Sequence, residues 1–166
     1  KIFAGAVQPT EGKVFLDGQE VDMKSPADAT QKGIATVFQE LSLVSGISVA
    51  ENIFVGRLPR KKSGLVNWRR LYADAQELLD DLKIDINPKT LVEQLTVSQM
   101  QMVEIAKAMS FHPCVLQLDE PTSALSQTEA ETLFRIMRNL KEKNVVIIFV
   151  THRLQELWDV ADTCLV

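Results

Sequence analysis

Two carboxylates, Asp119 and Glu120, follow directly on the apolar run Val115-Leu116-Gln117-Leu118, and Pro121 comes next. The run has no helical spacing, and proline cannot continue a ladder, so the pattern is that of a buried parallel strand stopping at an acidic turn. Open α/β sheets hold their ligands beyond the carboxyl ends of such strands. Two neighbouring acids placed there suit phosphate chemistry: Asp119 can hold Mg²⁺ through its water shell, and Glu120 can orient or polarise a water. A core strand that merely stops at an acidic turn has the same residues, so the surroundings decide.

Further along, a second apolar run over residues 145–150 ends in Thr151-His152. Between the runs, Ser126 and Glu129 form a capping box, and Ala130, Leu133, Met137 and Leu140 share one helical face. Strand, helix, strand at this spacing predicts a βαβ unit with parallel strands. A lone histidine at a strand end is usually a hydrogen-bonded neighbour, but beside Asp119 and Glu120 it becomes a candidate γ-phosphate contact.

The rest of the chain must position these groups. The stretch 1–5, Lys1-Ile2-Phe3-Ala4-Gly5, reads as the last turn of a helix with Gly5 just past its end. Segments 13–16 and 19–21 flank Asp17-Gly18, a hairpin signal. Ser25 and Pro26 open a short helix that Gly33 closes, and 34–37 is a short buried strand. Gln39 follows it, either a solvated loop amide or, with the acids nearby, a Mg²⁺ or water contact on a mobile segment. Ser48 and Glu51 start a helix that Gly56 stops, and residues 57–64, including Arg60-Lys61-Lys62, read as a solvated basic loop. Leu71, Ala75, Leu78, Leu79 and Leu82 form a helical stripe, broken over 84–88. Ser98 with Gln101 is expected to cap a further helix with Met102, Val103, Ala106 and Met109 on its buried face. The chain ends within another apolar segment.

Composition bounds the function. Of the 166 residues, 46% are hydrophobic and 24% charged, and the net charge is −4, which describes a soluble globular domain with no electrostatic reason to bind nucleic acid. No apolar run approaches the roughly 20 residues of a membrane span, and no secretory signal opens the chain, so membrane association is expected only through a partner. Cys114 and Cys164 lack metal-ligand spacing and fit a reducing cytosol, with Cys114 expected in the core.

Taken together, the motifs resemble an ABC-transporter ATPase. Residues 118–125, Leu118-Asp119-Glu120-Pro121-Thr122-Ser123-Ala124-Leu125, look like its Walker B motif and D-loop. Thr151-His152 matches its switch histidine, Val37-Phe38-Gln39-Glu40 its Q-loop, and residues 95–101 (Leu95-Thr96-Val97-Ser98-Gln99-Met100-Gln101) stand where its signature motif belongs. The resemblance is closest to the first of two tandem ATPase domains in bacterial ribose, galactose or xylose importers. It implies an α/β fold of P-loop NTPase type. A mostly parallel sheet core (1–39 and 111–166) would carry a helical subdomain insertion (40–110) and an N-terminal antiparallel hairpin.

The resemblance also implies the roles. Glu120 would polarise the attacking water, and His152 would contact the γ-phosphate of ATP. Asp119 and Gln39 would hold Mg²⁺, largely through water. Thr96, Val97, Ser98 and Gln99 would meet the nucleotide of an opposite domain from a helix N-terminus. Val97 and Ser98 replace two glycines there, which makes close backbone approach to phosphate harder and suggests a weakened or regulatory site. Ser126 stands where the family usually has aspartate. No Gly-x-x-x-x-Gly-Lys-Ser/Thr loop occurs, so the chain is expected to be a fragment cut just after that loop and unable to bind ATP well by itself. The strand at 145–150 would then lie at an exposed apolar edge.

In the full-length parent, expected partners are transmembrane permease subunits, a second ABC ATPase domain and, indirectly, a periplasmic or lipid-anchored sugar-binding protein. The place would be the cytoplasmic face of the plasma membrane. A non-hydrolysing regulatory nucleotide-binding module, or an ABC ATPase unconnected with transport, are the alternatives.

Overall fold

The computed structural model describes residues 2–165, so Lys1 and Val166, the ends of the expected range, lie outside the described residues. In chain order the elements are β1 (Val14–Leu16), β2 (Gln19–Val21), α1 (Pro26–Gln31), β3 (Ile34–Val37), α2 (Val49–Ile53) and α3 (Trp68–Asp81). A single 3-10 turn, Val92–Gln94, leads into α4 (Val97–Met109), and β4 (Val115–Asp119), α5 (Gln127–Glu142), β5 (Val146–Val150) and α6 (Leu154–Val160) complete the set.

The sheet has the order β3-β4-β5 and is parallel throughout. Parallel neighbours require long crossovers, and helices supply them. β4 sits in the middle, with Leu118 opposite Val37 on one side and Asp119 opposite Val150 on the other. Alternation along the strands sends Ala35, Val37, Leu116, Leu118, Ile147 and Phe149 into one core with α4 and α5. Ile34, Val115 and Ile148 face the other way, against Met23 and Ala29. The β1–β2 hairpin turns at Asp17 (φ 51°) and Gly18 (φ 77°), both left-handed as a two-residue turn of this twist demands.

Local signals at the helix starts are largely realised. Ser25 accepts from the Asp28 N–H at 3.2 Å with Pro26 in the first turn, and Ser48 and Glu51 close a capping box on α2. The stripe on α3 buries Leu71, Ala75, Leu79 and, just past its end, Leu82. On α5, Ala130, Leu133, Met137 and Leu140 are buried, and Phe134 meets Phe149 edge-on at 6.3 Å. Near the start, the Gly5 N–H closes a turn on the Ile2 carbonyl at 2.9 Å, with Gly5 at φ 65°.

Four expectations need correction. The cap of α4 is Thr96 with Gln99, not Ser98 with Gln101: Thr96 Oγ1 accepts from the Gln99 N–H at 3.2 Å, and Gln99 Oε1 accepts from the Thr96 N–H at 3.0 Å. The helix therefore starts earlier, and Gln101 is buried in its body. Nor does α4 have one buried face: Met102, Val103, Ile105, Ala106, Ala108 and Met109 are all buried, because the helix is packed on β3 at one side and α2 at the other. Cys114 is exposed rather than in the core. It precedes β4 at the open end of the sheet and lies over Gly33, where a Cβ would come within 2.9 Å of its sulfur. Arg57 leaves the basic loop to lie 3.7 Å over the Phe111 ring and to donate to Ser110 Oγ at 2.6 Å.

Leu116 is fully buried at the centre of the sheet. Leu116→Ala is expected to cost about 2–5 kcal/mol of stability, read as a lower urea midpoint at unchanged slope.

Candidate functional site

Because β3, β4 and β5 run parallel, their carboxyl ends open on one edge, and each delivers a candidate group there. β3 ends at Val37, two residues before the exposed Gln39. β4 ends at Asp119, and Glu120 follows; β5 ends at Val150, and Thr151-His152 follow. The Glu120 Oε2 and His152 Nδ1 atoms lie 3.4 Å apart, with the Glu120 side chain 31% and the His152 side chain 63% exposed. The carboxylate is thus partly shielded while the imidazole reaches out over the sheet edge.

Glu120 adopts φ 48°, a left-handed conformation costing a non-glycine residue about 1–3 kcal/mol. Its N–H donates to the Val150 carbonyl at 2.9 Å, and its carbonyl accepts from the Ser123 N–H at 3.2 Å. One bond thus extends the β4–β5 pairing past the end of β4, and the other closes the turn that Pro121 begins. This turn aims the Glu120 side chain towards His152 instead of along the strand.

Gln39 precedes a segment that is held firmly. Glu104, buried in α4, accepts from the Ser42 N–H and from Ser42 Oγ–H, and the Lys107 ammonium donates to Ser42 Oγ at 2.8 Å. Two residues on, the buried Asn52 side chain accepts from the Val44 N–H at 2.8 Å and donates to the Val44 carbonyl at 3.0 Å. The amide of Gln39 therefore projects from a short stretch with β3 on one side and the Ser42 anchor on the other.

Thr96, Val97, Ser98 and Gln99 form the cap and first turn of α4. Among the described residues, no hydrogen bond or ion pair joins them to Gln39, Asp119, Glu120 or His152. Ser98 and Gln99 line instead a groove of about 200 Å³ beside α5, whose walls also include Thr132 and Arg135. The first N–H groups of a helix have no intrahelical acceptor, so Val97 and Ser98 can offer theirs outward, but Val97 is 51% exposed and its side chain crowds the approach. Glu129, in the first turn of α5, accepts from the Ser126 N–H at 2.9 Å and from the Ser126 hydroxyl at 2.7 Å. Its carboxyl is held below the ordinary value of 4.5, first by the Ser126 hydroxyl, then by the Ser126 N–H, with a smaller pull from the Ser98 hydroxyl.

Asp119 and Gln39 offer hard oxygen atoms at one edge, the donor type Mg²⁺ prefers. Among the described residues no group of three or more His, Cys, Asp or Glu side chains could enclose a metal.

The sequence reading missed Glu156. It is buried in the first turn of α6 and accepts from Thr122 Oγ1 at 2.8 Å and Thr151 Oγ1 at 2.9 Å. The signal was the charged pair Arg153 and Glu156, three apart directly after His152. Glu104 was legible as an acid among apolar residues of α4, but Ser42, its partner, lies 62 residues away in sequence.

Comparison with known proteins completes the picture. The sequence model of the ABC transporter family matches residues 1–123. A ribose import ATP-binding protein of Rhodopirellula baltica is 45% identical over 166 residues, all of this chain but 32% of the relative. A protein assigned to ribose/galactose/methyl galactoside import in Agrobacterium fabrum is 45% identical over 162 residues, again with 32% of its length covered. The chain thus spans about a third of the length of the curated relatives it matches. Among solved structures, a nucleotide-free ATP-binding cassette from an ABC transporter superposes with a TM-score of 0.80 at 23% identity, covering 97% of this chain and 67% of that one. A dimeric cassette bound to ADP and Pi gives 0.72 at 24% identity, covering 93% and 68%. At these identities, the structures establish the fold.

The depressed Glu129 carboxyl has a defined sign. A carboxyl lowered on folding contributes stability that is present above its unfolded value, near 4.5, and lost as pH falls through its folded value. The stability gap between the protein and Glu129→Gln, followed by thermal unfolding against pH, is expected to be constant at neutral pH and to close only below 4.5.

Proposed function

The chain belongs to the ABC transporter family, and from that premise we propose that it is part of the ATP-binding and ATP-hydrolysing subunit of a bacterial importer of monosaccharides. The observation that carries the reading is the Glu120–His152 pair, 3.4 Å apart where two parallel strands end. The relatives named for ribose or galactose import supply the substrate class.

Glu120 orients and polarises the water that attacks the terminal phosphate of ATP, with its left-handed turn aiming the carboxylate out of the sheet. His152, paired with it, donates towards the γ-phosphate and holds the carboxylate in place. Asp119 and Gln39 would hold Mg²⁺, largely through water, and the ion would supply charge neutralisation at the phosphates. Thr96, Val97, Ser98 and Gln99 face a nucleotide held by the opposite domain, and Val97 and Ser98 weaken that second site. Such catalysis is positioning plus charge stabilisation, and it requires no covalent step on the protein.

The partners are permease subunits in the membrane, a second ABC ATPase domain and, through the permease, a sugar-binding protein. Among the described residues no helix is long and apolar enough to cross a membrane; the place proposed is the cytoplasmic face of the plasma membrane, through the permease. Gln39, anchored through Ser42 to the same helix that carries Thr96 to Gln99, suits the task of reporting nucleotide state to the permease.

In the full-length protein, Glu120→Gln is expected to keep ATP affinity while lowering steady-state phosphate release by about a hundredfold or more. Turnover near the unmodified rate would favour the regulatory, non-hydrolysing module. Gln39→Ala is expected to lower sugar uptake into reconstituted vesicles several times more than it lowers ATP turnover. A proportional fall in both would remove Gln39 from the coupling path.

A further inference from the structure

We infer that Glu156 is a positioning residue whose buried carboxylate clasps together the two turns that carry Glu120 and His152. The inference rests on the reading of Glu120 and His152 as the hydrolytic pair, and it extends that reading to a residue in α6 that hydrogen-bonds to neither.

One oxygen, Oε2, receives both threonine hydroxyls: Thr122 Oγ1 at 2.8 Å and Thr151 Oγ1 at 2.9 Å. Thr122 stands two residues after Glu120 and Thr151 one before His152. The separation of the two turns is therefore set by a single shared acceptor. Arg153 reinforces it from the other side. Its Nη1 lies 3.4 Å from Glu156 Oε1, its Nη2 donates to the Ser123 carbonyl at 3.2 Å, and its N–H donates to Thr151 Oγ1 at 3.0 Å. Every one of these links joins the turn after β4 to the turn after β5 or braces one of them.

The arrangement is not one that packing alone would select. Glu156 is 8% and Thr122 1% exposed, so both polar groups have been taken out of water. Burial of a carboxylate is costly, and an apolar side chain of similar volume would fill the space at lower cost. What the carboxylate adds is direction: two hydroxyls must converge on one atom, which fixes the distance between their backbones. The need is greatest at Glu120, whose left-handed backbone would relax if the turn were freed. Misplacement of a reacting group by about 1 Å can cost about a hundredfold in rate.

The test compares Glu156→Ala, Glu156→Gln and Thr151→Val in the full-length protein, by ATP turnover and by amide hydrogen exchange. Glu156→Ala is expected to lower kcat about tenfold or more with the KM for ATP within about twofold of the parent. Glu156→Gln keeps an acceptor oxygen and is expected to recover most of that loss. Exchange over 120–124 and over 151–153 should rise together in Glu156→Ala. A kcat within twofold of the parent, or equal loss in the Gln and Ala variants with faster exchange only over 154–160, would overturn the clasp. If Glu156→Ala does not fold, Thr151→Val carries the same two readouts, since it removes only one hydroxyl. If the parent protein hydrolyses no ATP, the reading of Glu120 and His152 fails by itself. Exchange then decides the clasp: a joint rise in both turns upholds it, and no rise in either refutes it.

Discussion

The parallel register of β4 with both neighbours is the constraint on which the site depends. With Leu118 opposite Val37 and Asp119 opposite Val150, the three strands end within a residue of one another. A slip of one position along β4 would turn Glu120 towards the other face and separate it from His152. Burial prevents such a slip. Leu116 and Leu118 point into the α4–α5 core while Val115 points into the smaller core on the other face, and a slip of one position would bring the polar Gln117 into the place of a core leucine.

Next in order of consequence is α4. A helix with one apolar stripe covers one neighbour, whereas α4 is buried nearly all round and touches both the sheet and α2. That lets a single rigid element carry Thr96 to Gln99 at its start and, through Glu104, hold Ser42 near the end of β3. A movement of the turn at Thr96 is thereby mechanically tied to the segment that bears Gln39. The buried Asn52, bonded to Val44 on both its N–H and its carbonyl, keeps the far end of that segment from swinging independently.

The edge where the candidate groups meet combines backbone strain with buried polar groups. Glu120 is left-handed, Thr122 and Glu156 are buried polar residues, and all three lie within the turns after β4 and β5 or their immediate support. Neither feature is confined to this edge: Asp17, Lys83, His112 and Asn144 are also left-handed, and Asn52, Gln101, Glu104 and Gln117 are also buried polar residues.

Much of this was legible in the sequence, for physical reasons. Hairpin, capped helices and buried strands are encoded by neighbours in the chain, so Asp17-Gly18, Ser48 with Glu51 and the run before Asp119 could be read directly. The resemblance of four motifs to ABC-transporter ATPases carried the fold as a whole. The cap of α4 was misplaced because Thr96 with Gln99 and Ser98 with Gln101 both have capping residues, and only packing decides which turn is first. Cys114 looked like core because apolar residues follow it, but solvent access at a strand's open end is a property of the sheet. Glu156 and Glu104 could be noticed as acids, but not what they hold, since Thr122 lies 34 residues from Glu156 and Ser42 lies 62 from Glu104. Sequence alone supplied the elements and the reactive groups; the tertiary structure decided their distances, because buried hydrogen bonds between remote residues form only once the sheet has brought the turns together.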